Sequence, residues 1–188
     1  HGFLDECLAE AGLAPADLAA ICVGMGPGSF TGIRVCGAMA QGLAFARRLP
    51  LHPFSSLAGL ETALPDGAPA GVSAIAANVG RWYARTRADG REAMLTTDAL
   101  LALAGPGAAL AVSGNIPEQD RLAAAFGPVL AFEARADLAR LAELALAAPA
   151  ARDGALRPNY LAASAAEDKL RAGLLGKPGA SAAPGTQA

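Results

Sequence analysis

The chain has 188 residues, of which 53% are hydrophobic and only 5% aromatic, and its formal net charge is −2. This length allows one large domain or two small ones. The slightly acidic balance disfavours a general nucleic-acid-binding protein, which usually presents a basic face. The two lysines, Lys169 and Lys177, lie near the C-terminus, so no lysine is available before them to clamp a phosphate. The three cysteines are odd in number and lack paired spacing, which argues against a disulfide framework and fits a reducing compartment. We therefore expect a cytoplasmic protein.

Apolar periodicity predicts alternating elements in the first third of the chain. They are a helix at 2–11 closed by Gly12, a strand at 19–24, a helix at 31–48, a strand at 51–55 and a helix at 55–64 capped by Ser55 or Ser56. Such alternation predicts an α/β layer with parallel strand pairing. Residues 65–71, PDGAPAG, form a turn-rich linker and a candidate domain boundary.

In the second part of the chain the sequence pattern predicts three strands in succession, with Asp89-Gly90 as the hairpin turn before the third. Further helices and strands alternate up to about residue 148, with Pro117 in the first turn of one helix, and the segment LRPNYL closes the ordered region. The last residues are small, polar and rich in Pro and Gly, which favours disorder. We therefore divide the chain into an N-terminal α/β subdomain (1–64), a linker (65–71), a second α/β subdomain (72–171) and a disordered tail (172–188).

A glycine-rich loop joins the first predicted strand to the second helix in VGMGPGSFTGIR, residues 23–34. It lacks the Lys-Ser/Thr pair of a Walker loop, and its glycine spacing does not fit G-x-G-x-x-G. A strand–loop–helix joint still presents free N–H groups to an anion, and we expect Ser29 or Thr31 to cap the helix that follows. The simpler interpretation is that the glycines allow a tight bend stiffened by Pro27. The candidate loop residues are Gly26, Gly28, Ser29, Thr31, Gly32 and Arg34.

The helix after this loop carries small residues four apart on one face, at Ala38, Gly42 and Ala46. Such spacing lets another helix approach closely, by a steric argument best documented in membranes. Ordinary packing against the chain's own sheet explains the pattern equally well. The first helix adds apolar side chains at Leu4 and Leu8, and the two helices together would form an association surface.

Other chemical candidates are weak. His1 and His52 are the only histidines, so a site built from His and Cys is disfavoured, although a carboxylate metal site stays open. Trp82 and Tyr83 could stack a nucleic-acid base, but a strand alternating between core and surface explains them better. Four arginines around this pair suggest direct nucleic-acid binding as a weaker hypothesis; they are Arg81, Arg85, Arg87 and Arg91.

The segments VGMGPGSFTGIRVCGAMAQGLA and LPLHPFSSLAGL resemble the signature region of the bacterial TsaB (YeaZ) family, and LRPNYL resembles its closing segment. The match is looser beyond residue 70. Cys36 and Gln41 depart from the residues common in the family, where Gly and Lys are usual. Family members also begin with an additional N-terminal segment, so we expect the first subdomain here to be incomplete at its N-terminus.

The resemblance implies an ASKHA fold, related to actin, hexokinase and RNase H, in two subdomains. It implies a non-catalytic scaffold subunit in the synthesis of N6-threonylcarbamoyladenosine at position 37 of tRNA. The expected partners are a catalytic TsaD-type paralogue and a TsaE-type ATPase, with a homodimer through the same surface and tRNA contacted only indirectly. No cofactor is expected in this subunit, whereas ATP and a metal are expected in the partner complex. No protease motif supports the family's older glycoprotease label.

We therefore expect substitutions at Ser29, Thr31 and Arg34 to weaken partner binding rather than catalysis. The alternative is a small-molecule phosphotransferase or ATP-binding protein of the same superfamily. That function would need an N-terminal phosphate loop and an acidic base, and neither is visible in the sequence.

Overall fold

A computed structural model describes residues 2–161, apart from residues 69, 79, 107, 114–115, 117, 132–136 and 152–153. Helices and strands alternate along this part of the chain in a mixed α/β architecture. The elements are α1 (Gly2–Glu10), β1 (Ile21–Gly24), α2 (Phe30–Arg47), β2 (Leu51–Phe54), α3 (Ser56–Glu61), β3 (Gly71–Asn78), β4 (Arg81–Thr86), β5 (Glu92–Thr96), α4 (Thr97–Leu101), β6 (Ala109–Ser113), α5 (Gln119–Ala125), β7 (Val129–Ala131) and α6 (Leu138–Ala147). None of the described helices is long and apolar enough to cross a membrane.

The first sheet has two strands, β1 and β2, and they pair in parallel as predicted. The register places Ile21 opposite Leu51 and Gly24 opposite Phe54. Helix α2 packs on this sheet through its inner face, where Ile33 joins a small core with Val23. The other α2 residues in that core are Ala40 and Ala44, so the helix lies close to the strands without filling much volume.

The second sheet has five strands in the order β5-β4-β3-β6-β7. Strands β3, β4 and β5 form an antiparallel meander, whereas β6 and β7 add in parallel beside β3. The predicted Asp89-Gly90 turn joins β4 to β5, with Gly90 at φ +67°. Hydrogen bonds from the Thr86 hydroxyl and the Arg91 N–H hold the pKa of Asp89 below its usual range.

Each face of the second sheet is covered. On one face α4 and α5 enclose a core whose largest side chains, Trp82 and Phe126, are buried among leucines. On the other face Leu60 and Leu64 from α3 and the turn after it pack against Ala109 and Ala111 of β6. Helix α3, assigned by the sequence to the first subdomain, thus packs against the second sheet. The proposed division into subdomains stays a prediction.

The helix ends follow the predicted capping chemistry. Gly12 follows α1 at φ +67° and donates its N–H to Ala9. Ser29 caps α2 and Ser55 caps α3, so of the two serines proposed for α3 it is the first that accepts the N–H bonds. Two predictions fall outside the described residues: Pro117 in the first turn of α5, and the disordered tail at 172–188.

Candidate functional site

The glycine loop between β1 and α2 is held by close packing at Gly26. Its φ of +96° is a conformation that L side chains rarely adopt. A Cβ added there would lie 2.7 Å from Ile33 Cδ1 and 2.8 Å from the carbonyl oxygen of Asn159. The glycine is therefore required both for the turn and for close approach, as the simpler interpretation of the loop predicted. At Gly28, by contrast, an added Cβ would meet open space.

Two serines support this loop. The Ser29 hydroxyl accepts a hydrogen bond from the Gly32 N–H at 3.2 Å, which caps α2. The Ser56 hydroxyl accepts from the Gly26 N–H at 3.1 Å and ties the loop to the start of α3. Thr31 lies exposed in the first turn of α2. The capping interactions account for Ser29 and Gly32 structurally, and anion binding at this helix end stays a prediction.

A carboxylate from the second sheet reaches the same region. Glu92 of β5 accepts hydrogen bonds from the Ser55 hydroxyl and from the Asn159 side-chain amide, the latter at 2.7 Å. Arg85 on the neighbouring strand lies 3.6 Å from the same carboxylate. The Asn159 N–H in turn donates to the Met25 carbonyl at 2.7 Å. Glu92 therefore links the five-stranded sheet, the start of α3 and the glycine loop.

An exposed aromatic cluster stands at the start of α2. The rings of Phe30 and Tyr160 stack with centroids 5.1 Å apart. The Arg34 guanidinium lies over the Phe30 ring, 3.9 Å from its centroid, and its Nε donates to the Tyr160 hydroxyl at 3.3 Å. The closing segment of the chain thus fixes the orientation of an arginine that belongs to the signature loop.

A cleft of about 380 Å³ opens beside the loop. Ser29 and Cys36 line it from α2, Phe54 from the end of β2, Ser113 from the end of β6 and Leu141 from α6. Among its described lining residues none has a charged side chain, and most of the surface is apolar. Its lining is suited to an apolar or hydroxyl-bearing group better than to a polyphosphate, whose charge prefers Arg, Lys or a metal.

The outer face of α2 is apolar and unpaired with any described part of the chain. Val35 is 60% exposed, Met39 49% and Phe45 88%. Between them the predicted small residues, Ala38, Gly42 and Ala46, are also exposed, and nothing lies within 4 Å of a Cβ added at Gly42. The small-residue face therefore does not pack against the chain's own sheet. Exposed apolar surface of this kind is typical of an association surface.

Helix α1 differs from α2. Leu8 is 7% exposed and Leu4 is half-buried, so the larger side chains assigned to a partner surface on this helix are largely covered within the chain. Their contact with a partner stays a prediction. Of the association surface predicted from the sequence, the α2 residues are the ones accessible in this structure.

The remaining candidates have structural roles. Trp82 is fully buried and donates its Nε1 hydrogen to Thr97 at 3.1 Å, so it cannot stack a nucleic-acid base. Arg85 and Arg87 both form ion pairs with Glu61 of α3. Two of the four arginines suggested for nucleic-acid binding are therefore already paired within the chain. His52 Nδ1 lies 2.8 Å from the Ala148 carbonyl oxygen. Among the described residues no group of three or more His, Cys, Asp or Glu side chains could hold a metal ion.

Sequence reasoning found the loop but missed Glu92, Asn159 and Tyr160 as its supports. Asn159 and Tyr160 both lie in the LRPNYL segment that resembles the family's closing motif, whereas Glu92 had no such signal. Glu92 and Asn159 are 67 residues apart, and nothing in their local sequence indicates the contact.

The comparisons with known proteins find a TsaD family model, curated TsaB proteins and YeaZ structures. A family model described as "TsaD: tRNA N6-adenosine threonylcarbamoyltransferase" matches residues 1–77. The TsaB protein of Haemophilus influenzae is 48% identical over 60 residues, and that of Escherichia coli 35% identical over 82 residues. A YeaZ structure from Pseudomonas aeruginosa superposes with a TM-score of 0.54 and 28% identity, over 77% of this chain and 74% of that one. The chain is similar to TsaB (YeaZ) proteins over part of its length.

A second Pseudomonas aeruginosa structure, described as similar to the peptidase YeaZ, covers 85% of this chain and 81% of its own at a TM-score of 0.59 and 26% identity. The curated relatives are matched over a smaller part. The aligned region spans 32% of this chain and 25% of the Haemophilus protein, and 43% of this chain and 36% of the Escherichia protein. The name of the matching family model, TsaD, is that of the paralogue expected from the sequence resemblance.

Proposed function

We propose that this chain is a non-catalytic scaffold subunit in the synthesis of N6-threonylcarbamoyladenosine at position 37 of tRNA. The curated relatives bear the name "tRNA threonylcarbamoyladenosine biosynthesis protein TsaB", which supports a role in that pathway. An ASKHA-type fold in two subdomains is part of the proposal, and the family model with the TsaD description supports it. The catalytic partner would be a TsaD-type paralogue.

The outer face of α2 is the observation that carries this proposal. Val35, Met39 and Phe45 present apolar side chains to solvent, and Gly42 between them leaves room for a second helix to approach. Burying such side chains is favourable by about 25 cal/mol per Å² of apolar surface. A face of this kind suits a helix of the TsaD-type partner or, in its absence, the same face of a second copy.

The proposed complex has further members. A TsaE-type ATPase would join the pair, tRNA would be contacted through the complex, and ATP and a metal would bind in the partner rather than in this subunit. The uncharged lining of the cleft beside the loop supports a subunit without nucleotide chemistry of its own. A cytoplasmic location follows from the substrate class in this proposal.

The experiment is co-purification with the TsaD-type paralogue from the same organism, comparing Met39→Glu with the unaltered chain. A carboxylate in the centre of the face should weaken binding by about 100-fold or more, the size of a hot-spot loss. Leu146→Glu is the matched control, because Leu146 of α6 is 52% exposed against 49% for Met39 but lies on another helix. That variant should bind normally.

Two results would contradict the proposal. One is that the unaltered chain does not bind the paralogue. The other is that Met39→Glu and Leu146→Glu bind equally well, because α2 would then have no special part in association. Restoration of the tRNA modification in cells depleted of their own TsaB gives an independent readout of the pathway.

The alternative is a small-molecule phosphotransferase or ATP-binding protein, and it is favoured by the size of the cleft but not by its uncharged lining. At about 380 Å³ it is large enough for part of a nucleotide. Titration with ATP, followed by calorimetry and by an assay for phosphate release, distinguishes the two functions. Micromolar binding of ATP with turnover would favour the enzyme. Absence of ATP binding would favour the scaffold.

A further inference from the structure

We propose that Arg34, held between Phe30 and Tyr160, is a preformed receptor for a carboxylate side chain of the protein that covers the outer face of α2. This inference rests on the proposed function and specifies one contact of the complex. The partner is identified by its chemistry, an acidic residue at the edge of an otherwise apolar contact.

The guanidinium is already oriented in the free chain. It lies 3.9 Å from the centroid of the Phe30 ring, and its Nε donates to the Tyr160 hydroxyl at 3.3 Å. The two rings stack on each other at 5.1 Å. An arginine fixed in this way loses little side-chain entropy when it binds, which favours affinity through preorganisation.

The two Nη groups of Arg34 are the part of the fork that is left for a ligand. They make no hydrogen bond or ion pair with any residue that the structure describes, and Arg34 is exposed. Paired N–H groups of a guanidinium match the two oxygens of a carboxylate. Arg34 also lies near the N-terminus of α2, where the helix dipole disfavours a cation. Its position is therefore not explained by the stability of the helix.

The surroundings favour a protein carboxylate over a nucleic-acid phosphate. The exposed face of α2 that begins beside Arg34 carries Ala38 one turn along and the apolar side chains of Val35 and Met39. A nucleic-acid site gathers several basic groups because each contact neutralises one phosphate. The next arginine on this helix is Arg47, at its opposite end. A single oriented arginine at the rim of an apolar face is instead typical of a protein interface, where Arg and Tyr are enriched among the residues that dominate affinity.

The test measures binding of the full 188-residue chain to the TsaD-type paralogue at about 50 mM and about 300 mM salt, since ionic strength screens exposed charges. Arg34→Gln should weaken binding by about tenfold or more and flatten the dependence on salt. Arg34→Lys keeps the charge but not the fork, and it should recover only part of the loss. Tyr160→Phe keeps the ring stack but removes the hydroxyl that accepts from Arg34, and it should weaken binding a few-fold.

Arg47→Gln is the matched control, because it removes a positive charge from the other end of the same helix, and it should bind as the unaltered chain does. Melting curves show that each variant is folded. If Arg34→Gln binds normally while Met39→Glu does not, Arg34 is not a carboxylate receptor, and the proposed function stands. If the unaltered chain fails to bind, both are wrong. If Arg34→Gln leaves the protein complex intact but lowers its affinity for tRNA, the arginine binds phosphate and the carboxylate assignment is overturned.

Discussion

The two sheets of this chain are covered to different degrees. The five-stranded sheet is enclosed on one face by α4 and α5 around Trp82 and Phe126, and on the other by α3. The two-stranded sheet has a smaller core. Helix α2 contributes Ala40 and Ala44 to it, whereas the core of the larger sheet contains aromatic and leucine side chains. The same helix leaves Phe45 88% exposed.

This difference separates the source of stability from the source of association. A sheet packed on both faces with large side chains has little apolar surface left to offer a partner. Apart from Ile33, helix α2 buries only Gly and Ala, while its larger side chains Val35, Met39 and Phe45 are exposed, so it gains most when another surface covers it. We therefore expect substitutions in the larger sheet to affect unfolding, and substitutions on the outer face of α2 to affect binding.

Trp82→Ala should cause the largest loss in the free energy of unfolding. Trp82 is fully buried, and its indole N–H donates to the Thr97 hydroxyl, so truncation leaves a cavity and removes one of the two hydrogen bonds of that hydroxyl. Loss of a buried aromatic side chain costs about 3–5 kcal/mol. Denaturation in urea, followed by circular dichroism, measures the change. A loss below about 1 kcal/mol would show that this core is not the main source of stability.

Gly26→Ala tests whether the small sheet depends on its loop. The added methyl would meet both Ile33 and the Asn159 carbonyl, and the backbone there has φ +96°. We expect a loss of about 2 kcal/mol or more in the free energy of unfolding. Gly42→Ala is the control, because its Cβ meets open space in the middle of α2; it should stabilise the helix by about 0.5–1 kcal/mol. Equal effects at the two sites would contradict the role assigned to Gly26.

Glu92→Gln tests whether the two sheets are mechanically joined. The carboxylate accepts from Ser55 and Asn159, and hydrogen bonds to a charged group are each worth about 1.5–3 kcal/mol, so loss of the charge should cost about 1–2 kcal/mol. Hydrogen exchange at residues 25–29 should become faster. Glu143→Gln, at an exposed carboxylate of α6, is the control and should change stability by less than about 0.5 kcal/mol. Unchanged exchange in Glu92→Gln would mean that the loop is held without this link.

The sequence alone predicted those features that depend on neighbouring residues. The caps at Ser29 and Ser55, the turn at Gly90 and the parallel pairing of β1 with β2 all follow from local patterns. The requirement for glycine at position 26 was also visible, although its two contacts were not.

What the sequence could not predict depends on distant segments meeting. Arg34 and Tyr160 are separated by 126 residues, and their contact exists only because the closing segment returns to the start of α2. The packing of α3 is another example: the sequence grouped this helix with the first sheet, whereas its Leu60 packs against Ala109 and Ala111 of the second sheet. The exposure of Ala38, Gly42 and Ala46 shows that they do not pack against the described part of the chain, and their contact with a partner helix stays a prediction.

Phe45→Ser should have the smallest effect on stability and a clear effect on binding. Because Phe45 is 88% exposed, its removal should change the free energy of unfolding by less than about 0.5 kcal/mol. If a partner covers the face, the lost ring should weaken binding to the TsaD-type paralogue by about tenfold or more, since buried aromatic side chains dominate interface energies. Chemical denaturation and calorimetric titration of the same preparation measure both quantities. A large loss of stability with unchanged binding would reverse the assignment, because Phe45 would then belong to the fold of this chain and the outer face of α2 would end short of it.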